Sequence, residues 1–170
     1  AKKRGHDVVL CEKEDDVGGA LKAASVPIGK QDLCQVIKWM RHRLVQSGVD
    51  IRTKTMVTLE MLHNEFHDYE AIASTGAKAI IPQSMTSFKQ WMTGDDILNG
   101  RAFPGRKIVI VGGGSVGCEL ADYLAPLVND HFPRNRDITI IEMGQEVMLN
   151  ESGPGRSLLV QRLMKKGVKM

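Results

Sequence analysis

The sequence predicts an α/β fold: two related units in tandem, each with a parallel sheet and each incomplete. Three observations predict it. A strand, a glycine turn and a helix follow one another over 106–124, RKIVIVGGGSVGCELADYL. A second apolar run, Asp137–Glu142, ends in an acid. The pattern around that acid, and around the helix end after it, recurs earlier in the chain.

Lys107–Val111 is mostly apolar and β-branched, the mark of a buried parallel strand. Gly112, Gly113 and Gly114 follow, then Ser115-Val116 and Gly117. Val116, Leu120, Tyr123 and Leu124 then recur at helical spacing. Between a strand and a helix, G-x-G-x-x-G is the signature of a Rossmann-like dinucleotide-binding unit. Gly112 permits the tight turn, Gly114 lets a pyrophosphate approach the backbone, and Gly117 lets the helix sit close to the strand. The helix N-terminus offers N–H groups and the positive end of its dipole to the phosphates.

Glu142 supplies the second half of that signature. A carboxylate at this strand end accepts hydrogen bonds from the adenosine ribose and repels a 2′-phosphate, so NAD(H) is preferred over NADP(H). Glu142 lies 25 residues past Gly117 (142 − 117), against about 20 in the usual pattern. The excess falls in 126–136, PLVNDHFPRNR, which reads as a polar surface insertion. Arg134 and Arg136 are its two candidates for reaching a 2′-phosphate.

The repeat organises the rest. HDVVLCEKEDDV at 6–17 matches RDITIIEMGQEV at 136–147, with Asp second, Glu seventh and Val twelfth. LVQSGVDI at 44–51 matches LMKKGVKM at 163–170, each a helix end, a Gly-Val corner and the start of a strand. The first unit would then begin at the tail of its first helix, and the second would stop as its third strand begins. The chain reads as an internal fragment of a longer protein.

In chain order, Ala1–Gly5 reads as a helix end with its glycine stop, and His6–Glu12 as a strand. A helix lies within Gly29–Gly48, with Leu33, Val36, Ile37, Met40, Leu44 and Val45 as its apolar stripe and Lys38, Arg41 and Arg43 on a solvated basic face. Val49–Arg52 is a strand. Thr58–Phe66 is a short helix with Thr58 as N-cap and Met61, Leu62 and Phe66 inward. Tyr69–Ser74 is a strand running into Thr75-Gly76, and Ala79–Pro82 a short apolar segment. Pro82–Thr93 is irregular. Gly94–Gly100 is a helical turn, and Ser157–Lys166 a helix stopped by Gly167.

Composition narrows the function classes. With 170 residues, 42% apolar and 25% charged, the chain suits a soluble globular protein able to bury a sizeable core. A net charge of +3 with scattered basic residues makes no case for nucleic acid. The apolar runs are too short to span a bilayer, and Ala1-Lys2-Lys3-Arg4 leads into Gly5-His6-Asp7 rather than a secretory apolar stretch. Cys11, Cys34 and Cys118 form no C-x-x-C pair; all three are expected to be buried thiols in a reducing cytoplasm, without disulfide or metal site.

Several of these segments together resemble a known family. Glu12-Lys13, Val17-Gly18-Gly19-Ala20-Leu21, Ala24 and Pro27 resemble the E-K…G-G-x-L…A…P segment of FAD-dependent pyridine-nucleotide oxidoreductases. Ser74-Thr75-Gly76-Ala77 with Pro82 resembles their second flavin motif, A-T-G-x…P. VGGGSVGCELADYLA resembles their inserted NAD-binding domain. Over essentially the whole chain, the order resembles the C-terminal region of the 2,4-dienoyl-CoA reductase, 2-enoate reductase and trimethylamine dehydrogenase group. Disulfide reductases of that superfamily carry a redox cysteine pair soon after the two glycines. Here ALKAASVPIGK follows Gly19, so disulfide chemistry is not expected.

The resemblance implies a partial FAD-binding domain at 1–96 and a partial NAD(P)-binding domain at 97–170. It implies that hydride passes from NAD(P)H to FAD, and electrons then through a 4Fe–4S cluster to FMN in a separate barrel. FMN and the cluster are expected only in the parent flavoenzyme, whose remainder is the expected partner. By the resemblance Glu12 binds the FAD ribose, Gly18-Gly19 lies near the flavin nucleotide and Thr75-Gly76 passes close to it. The turn Gly112, Gly113, Gly114, Ser115, Val116 and Gly117 binds NAD, with Gly114, Ser115 and Gly117 on the pyrophosphate and Glu142 on the ribose. Two positions keep two readings. Glu119 either faces the nicotinamide pocket or is a solvent-facing helix carboxylate, and Lys13 either contacts adenine or is solvated.

The implied function is an NAD(P)H-to-FAD electron-entry module of an oxidoreductase acting on enoates, enoyl-CoA or similar substrates. The alternative is a structural ADP site of the trimethylamine dehydrogenase type, with no electron transfer through it. Little activity is expected of this segment alone. No catalytic acid or base is expected, because hydride transfer is the cofactors' own chemistry. His6, His42, His63, His67 and His131 share no spacing and carry no site.

Overall fold

The computed structural model describes residues 1–125 and 136–170. The loop reading at 126–136, except Arg136, therefore lies outside the described residues, as do Arg134 and His131. The chain forms two compact units: Ala1–Lys22 with Asp32–Ala79, and Ala23–Gln31 with Ile80–Met170.

In the first unit a single 3-10 turn, Lys2–Arg4, ends at Gly5 with φ 89°. Strand β1 (Val9–Cys11) then begins. A short helix that the sequence did not suggest, α1 (Ala20–Ala24), precedes α2 (Leu33–Gln46) and strand β2 (Asp50–Arg52). The strands pair in parallel with Val9 opposite Asp50; a parallel pair needs a long crossover, and α2 lies on it.

The apolar stripe of α2 is only partly covered. Leu33, Ile37 and Leu44 are half-buried, but Val36, Met40 and Val45 are exposed. Geometry explains this. Fourteen helical residues run about 21 Å, whereas three-residue strands run about 10 Å. Lys38, Arg41 and Arg43 are exposed on its basic side as expected, though Arg41 Nε donates to Asp16 Oδ1 at 2.9 Å and Arg43 lies over the Trp39 ring.

Helix α3 (Leu59–Asn64) starts where Thr58 predicts. The Thr58 hydroxyl accepts from the Met61 N–H at 3.2 Å, Met61 and Leu62 are half-buried, and Phe66 is buried. The expected strand at 69–74 does not form. Residues 70–82 contain no helix or strand, and 71–80 are exposed throughout. A strand exists only as one side of a hydrogen-bonded ladder, and the sheet of this unit consists of β1 and β2 alone among the described residues.

The second unit holds the larger core. Helix α4 (Gly94–Leu98) is closed by a capping box between Thr93 and Asp96. Then come β3 (Lys107–Val111), α5 (Ser115–Leu124), β4 (Asp137–Ile141) and α6 (Pro154–Lys165). Strands β3 and β4 pair in parallel from Lys107 opposite Asp137 to Val111 opposite Ile141. Helix α6 begins three residues before the expected Ser157, with Pro154 in its first turn, where the missing N–H costs nothing. Ile110, Ile138 and Ile140 pack with Cys118, Leu124, Leu159 and Leu163 in one cluster.

The fully buried strand expected at 107–111 is buried on one face only. Ile110 is buried, but Val109 and Val111 are 60% and 52% exposed. Successive strand residues face opposite ways, and the core cluster takes only one of the two faces. The cysteines also depart from expectation: Cys118 is buried, Cys11 half-buried and Cys34 exposed. Cys34 sits on the under-covered α2.

The repeat holds at the level of single hydrogen bonds. Asp50 N donates to Val8 O at 3.1 Å, and Lys169 N donates to Ile138 O at 3.0 Å. These are matching positions of the two copies. Val9 pairs with Asp50, and Thr139 forms a parallel bridge to Lys169, the start of the third strand. No described helix is long and apolar enough to cross a membrane.

Candidate functional site

Three of the four glycines in the turn between β3 and α5 are required by its shape, each for a different reason. Gly112 has φ +106°, a region that side-chain-bearing residues seldom adopt. A Cβ on Gly117 would stand 2.0 Å from the Gly112 carbonyl oxygen, so only glycine lets the helix start this close to the strand. A Cβ on Gly113 would stand 2.8 Å from Val147 Cγ1 and 3.0 Å from Glu142 Cβ. Around Gly114 nothing lies within 4 Å of that position. Thus three glycines are hemmed in by conformation or neighbours, and one faces open space beside the helix start.

Helix α5 begins without its own cap. Gly114 is the N-cap, makes no side-chain cap bond, and the first turn holds no acid. Its first N–H groups have no partner within the helix, and the dipole there favours an anion. This matches what a phosphate-binding turn requires.

Glu142 reaches that turn from the end of β4. Gly113 N donates to its Oε2 at 2.6 Å and Gly144 N to its Oε1 at 2.8 Å. The Gly144 N–H foremost, then those of Gly113 and Met143, hold the Glu142 carboxyl below its ordinary range against the opposing effect of burial. It is an anion at neutral pH. The two carboxylate oxygens have two acceptor positions each, so these three N–H groups leave one for a ribose hydroxyl.

Ser115, the first residue of α5, is half-buried, and its hydroxyl donates to Glu151 Oε1 at 3.0 Å. Val116 is 67% exposed. One turn further on, Glu119 Oε1 accepts from Lys30 Nζ at 2.5 Å, and its side chain is 23% exposed. Glu119 is therefore neither a freely solvated helix carboxylate nor an isolated acid. Ser115, Glu119 and Lys30 line a cleft of about 490 Å³ with Met148, Glu151 and Arg156. Lys30 and Glu151 were invisible to the motif reading, because neither is near the glycine turn in sequence.

Cys118, inside the same helix, is no nucleophile. Burial first, then the charges of Glu142 and Glu119, push its thiol up to about 11, and its Sγ contacts Gly113 O at 3.4 Å. Arg136 does not serve the turn either. Its Nη1 donates to Leu124 O at the other end of α5, about 15 Å of helix away from Ser115. The 2′-phosphate role considered for Arg136 is not supported by this placement.

In the first unit, Glu12 ends β1 half-buried and accepts from Glu14 N at 3.0 Å, as Glu142 accepts from Gly144. Lys13 is exposed, with Nζ 3.6 Å from Glu14 Oε1. Gly18 has φ +123°, and a Cβ there would stand 3.0 Å from Ile37 Cγ2; Gly19 has φ +44° and open space. Thr75 and Gly76 lie in the exposed stretch without regular structure, with Gly76 at φ +79°. The structure thus ends β1 in an acid followed by a glycine turn, but leaves Thr75-Gly76 unpacked.

Comparison with known proteins identifies the family and the fold. Residues 63–170 match the family model described as pyridine nucleotide-disulphide oxidoreductase. An NADH oxidase of Thermoanaerobacter brockii is 30% identical over 99% of this chain and 25% of its own. A cinnamate reductase of Clostridium sporogenes is 32% identical over 89% of this chain and 21% of its own. A solved 2-naphthoyl-CoA reductase, in complex with 2-naphthoyl-CoA, superposes with a TM-score of 0.83 at 22% identity, covering 99% of this chain and 24% of that one. That likeness confirms the fold. The chain spans about a quarter of the length of the curated relatives it matches.

Proposed function

We propose a function from one established premise: the chain belongs to the pyridine nucleotide-disulphide oxidoreductase family. Its homologues are named reductases and oxidases, so a redox role with NAD(P)H and FAD follows at family level. The finer reading is an electron-entry module: NADH delivers hydride to FAD, on behalf of a substrate reduced elsewhere in a longer flavoenzyme. Residues 1–96 carry the FAD half and 97–170 the NAD(P) half.

The observation that carries this reading is the approach of Gly112 and Gly117 beneath an uncapped helix start, with the Glu142 anion bonded to the same turn. Gly114, Ser115 and Gly117 would hold the dinucleotide pyrophosphate and Glu142 its ribose, which favours NAD(H) over NADP(H). Gly112, Gly113 and Val116 shape that turn, and Glu119 stands one helical turn along it. On the FAD side the corresponding residues are Glu12, Lys13, Gly19, Thr75 and Gly76. When bound, the two cofactors supply the hydride chemistry; the protein supplies position and charge. FMN and an iron–sulfur cluster belong to the remainder of the protein in this reading.

The relatives support the two ends of the path. One is named for NADH, the other for cinnamate, an enoate. An enoate or a similar activated alkene is therefore the acceptor we assign to the whole protein.

The test is calorimetric titration of the full-length protein with ADP, then anaerobic titration with NADH while the flavin spectrum is followed. The reading expects ADP binding that Glu142→Ala weakens about 10-fold or more, from the loss of hydrogen bonds to a charged group. It also expects rapid flavin bleaching by NADH. Tight ADP binding with no bleaching would instead mark a structural nucleotide and overturn electron entry.

A further inference from the structure

We propose that Glu151 competes with the dinucleotide phosphates for the N-terminal end of α5, and so sets how tightly the cofactor is held. The inference rests on the nucleotide-binding reading of the glycine turn. Ser115 opens α5, and its hydroxyl is donated to Glu151 Oε1 at 3.0 Å, across 36 residues of sequence. The helix brings no capping side chain and no acid of its own to that end. An anion is favoured there, and Glu151 is the anion that arrives.

Glu151 does not reach this place as a wandering surface side chain. The segment that carries it is tied to the glycine turn itself: Met148 N donates to Gly113 O at 2.7 Å, and Glu151 N donates to Met148 O at 3.0 Å. Met148 is buried and holds φ +54°, a conformation uncommon for any residue but glycine. Gly153, at φ +128°, closes the segment before α6. Arg156, a close cation in the same cleft, is turned to the Val147 carbonyl and to Glu146.

A pyrophosphate at the start of α5 would take the Ser115 hydroxyl as a donor beside the N–H groups of the turn. To take it, the phosphate must turn Glu151 away, against like-charge repulsion. The consequence is selective. Ligands with phosphates pay this displacement; a nucleoside that meets only Glu142 does not.

The experiment titrates the full-length protein and its Glu151→Gln and Glu151→Ala variants calorimetrically with ADP, NADH and adenosine. Glu151 is exposed, so both variants should keep the fold, and circular dichroism verifies that. The expected result is ADP and NADH binding tightened about 3- to 10-fold, with adenosine unchanged. In a Ser115→Ala background the gain should largely vanish, because the competition runs through that hydroxyl. Unchanged or weaker ADP binding in Glu151→Gln overturns the inference while leaving the nucleotide site standing. Equal tightening of adenosine also overturns it. If no variant binds ADP or NADH, the nucleotide reading falls, and this inference with it.

Discussion

Gly117 and Gly112 approach so closely that one added carbon would collide: a Cβ on residue 117 would lie 2.0 Å from the carbonyl oxygen of residue 112. The obstruction is backbone, which cannot swing aside as a side chain can. Gly117→Ala must therefore push α5 away from β3, and both run through the main core. We expect a loss of about 3 kcal/mol in urea unfolding, and ADP binding lost or strongly weakened. A variant of wild-type stability would mean that the turn relaxes freely, and would remove the geometric basis of the site.

Gly155 makes the contrasting case. It lies in the first turn of α6, with nothing within 4 Å of a Cβ and no positive φ. Here alanine meets no neighbour and restricts the unfolded chain. Gly155→Ala should stabilise the protein by about 0.4–1 kcal/mol, read as a higher urea midpoint at unchanged slope. Because Gly155 also lines the cleft, the same variant should be titrated with ADP; its affinity is expected to stay within about twofold.

Glu142 links the site to pH. The N–H groups of Gly144, Gly113 and Met143 lower its carboxyl from the ordinary 4.5. A carboxylate depressed by folding adds stability above its unfolded value and loses it as pH falls through its folded value. Stability should therefore decline on acidification below about pH 4.5. Glu142→Gln should flatten that decline, measured as urea midpoints between about pH 3 and about pH 7. Asp96, lowered foremost by the Thr93 hydroxyl and then Arg101, and Asp137, lowered by Lys169, act in the same direction. The decline will be reduced in Glu142→Gln rather than abolished. An unchanged acid slope would contradict the folded-state role of these three N–H groups.

These cases show what spacing can and cannot reveal. Gly112 and Gly117 were legible because a strand, a turn and a helix are local; Glu142 was legible because an acid at the end of the next strand belongs to the same motif. Thr58 was legible because its cap, too, is local. The repeat was legible as a repeat, and the structure pairs its matching positions alike, Val9 with Asp50 and Thr139 with Lys169. The stretch at 69–74 misled because a short apolar run describes what a strand looks like once it has a partner; it does not supply one. Lys30 on Glu119 and Glu151 on Ser115 span 89 and 36 residues, and no periodicity connects them. Gly113 was named as part of the turn with no steric reason of its own; the packing of Val147 and Glu142 against it supplies one.

The buried pair Asp122–Lys166 holds α6 to α5 and sets the remaining prediction. Asp122 is 1% exposed and the Lys166 side chain 3%, with Nζ 2.9 Å from Oδ1. Lys166 Nζ also donates to Asp122 O at 2.8 Å, and Arg162 Nε donates to Asp122 Oδ1 at 2.8 Å. Removing the carboxylate leaves an ammonium without its counter-charge in the interior, which costs far more than the pair contributes. Asp122→Ala should lose about 3–5 kcal/mol in urea unfolding. Replacing both ends with apolar groups, Asp122→Leu with Lys166→Met, should recover most of that loss, because no buried charge is then stranded; Arg162 is 43% exposed and can turn to water. A double variant as unstable as Asp122→Ala would show that the hydrogen bonds to the backbone, not the stranded charge, dominate the joint between the two helices.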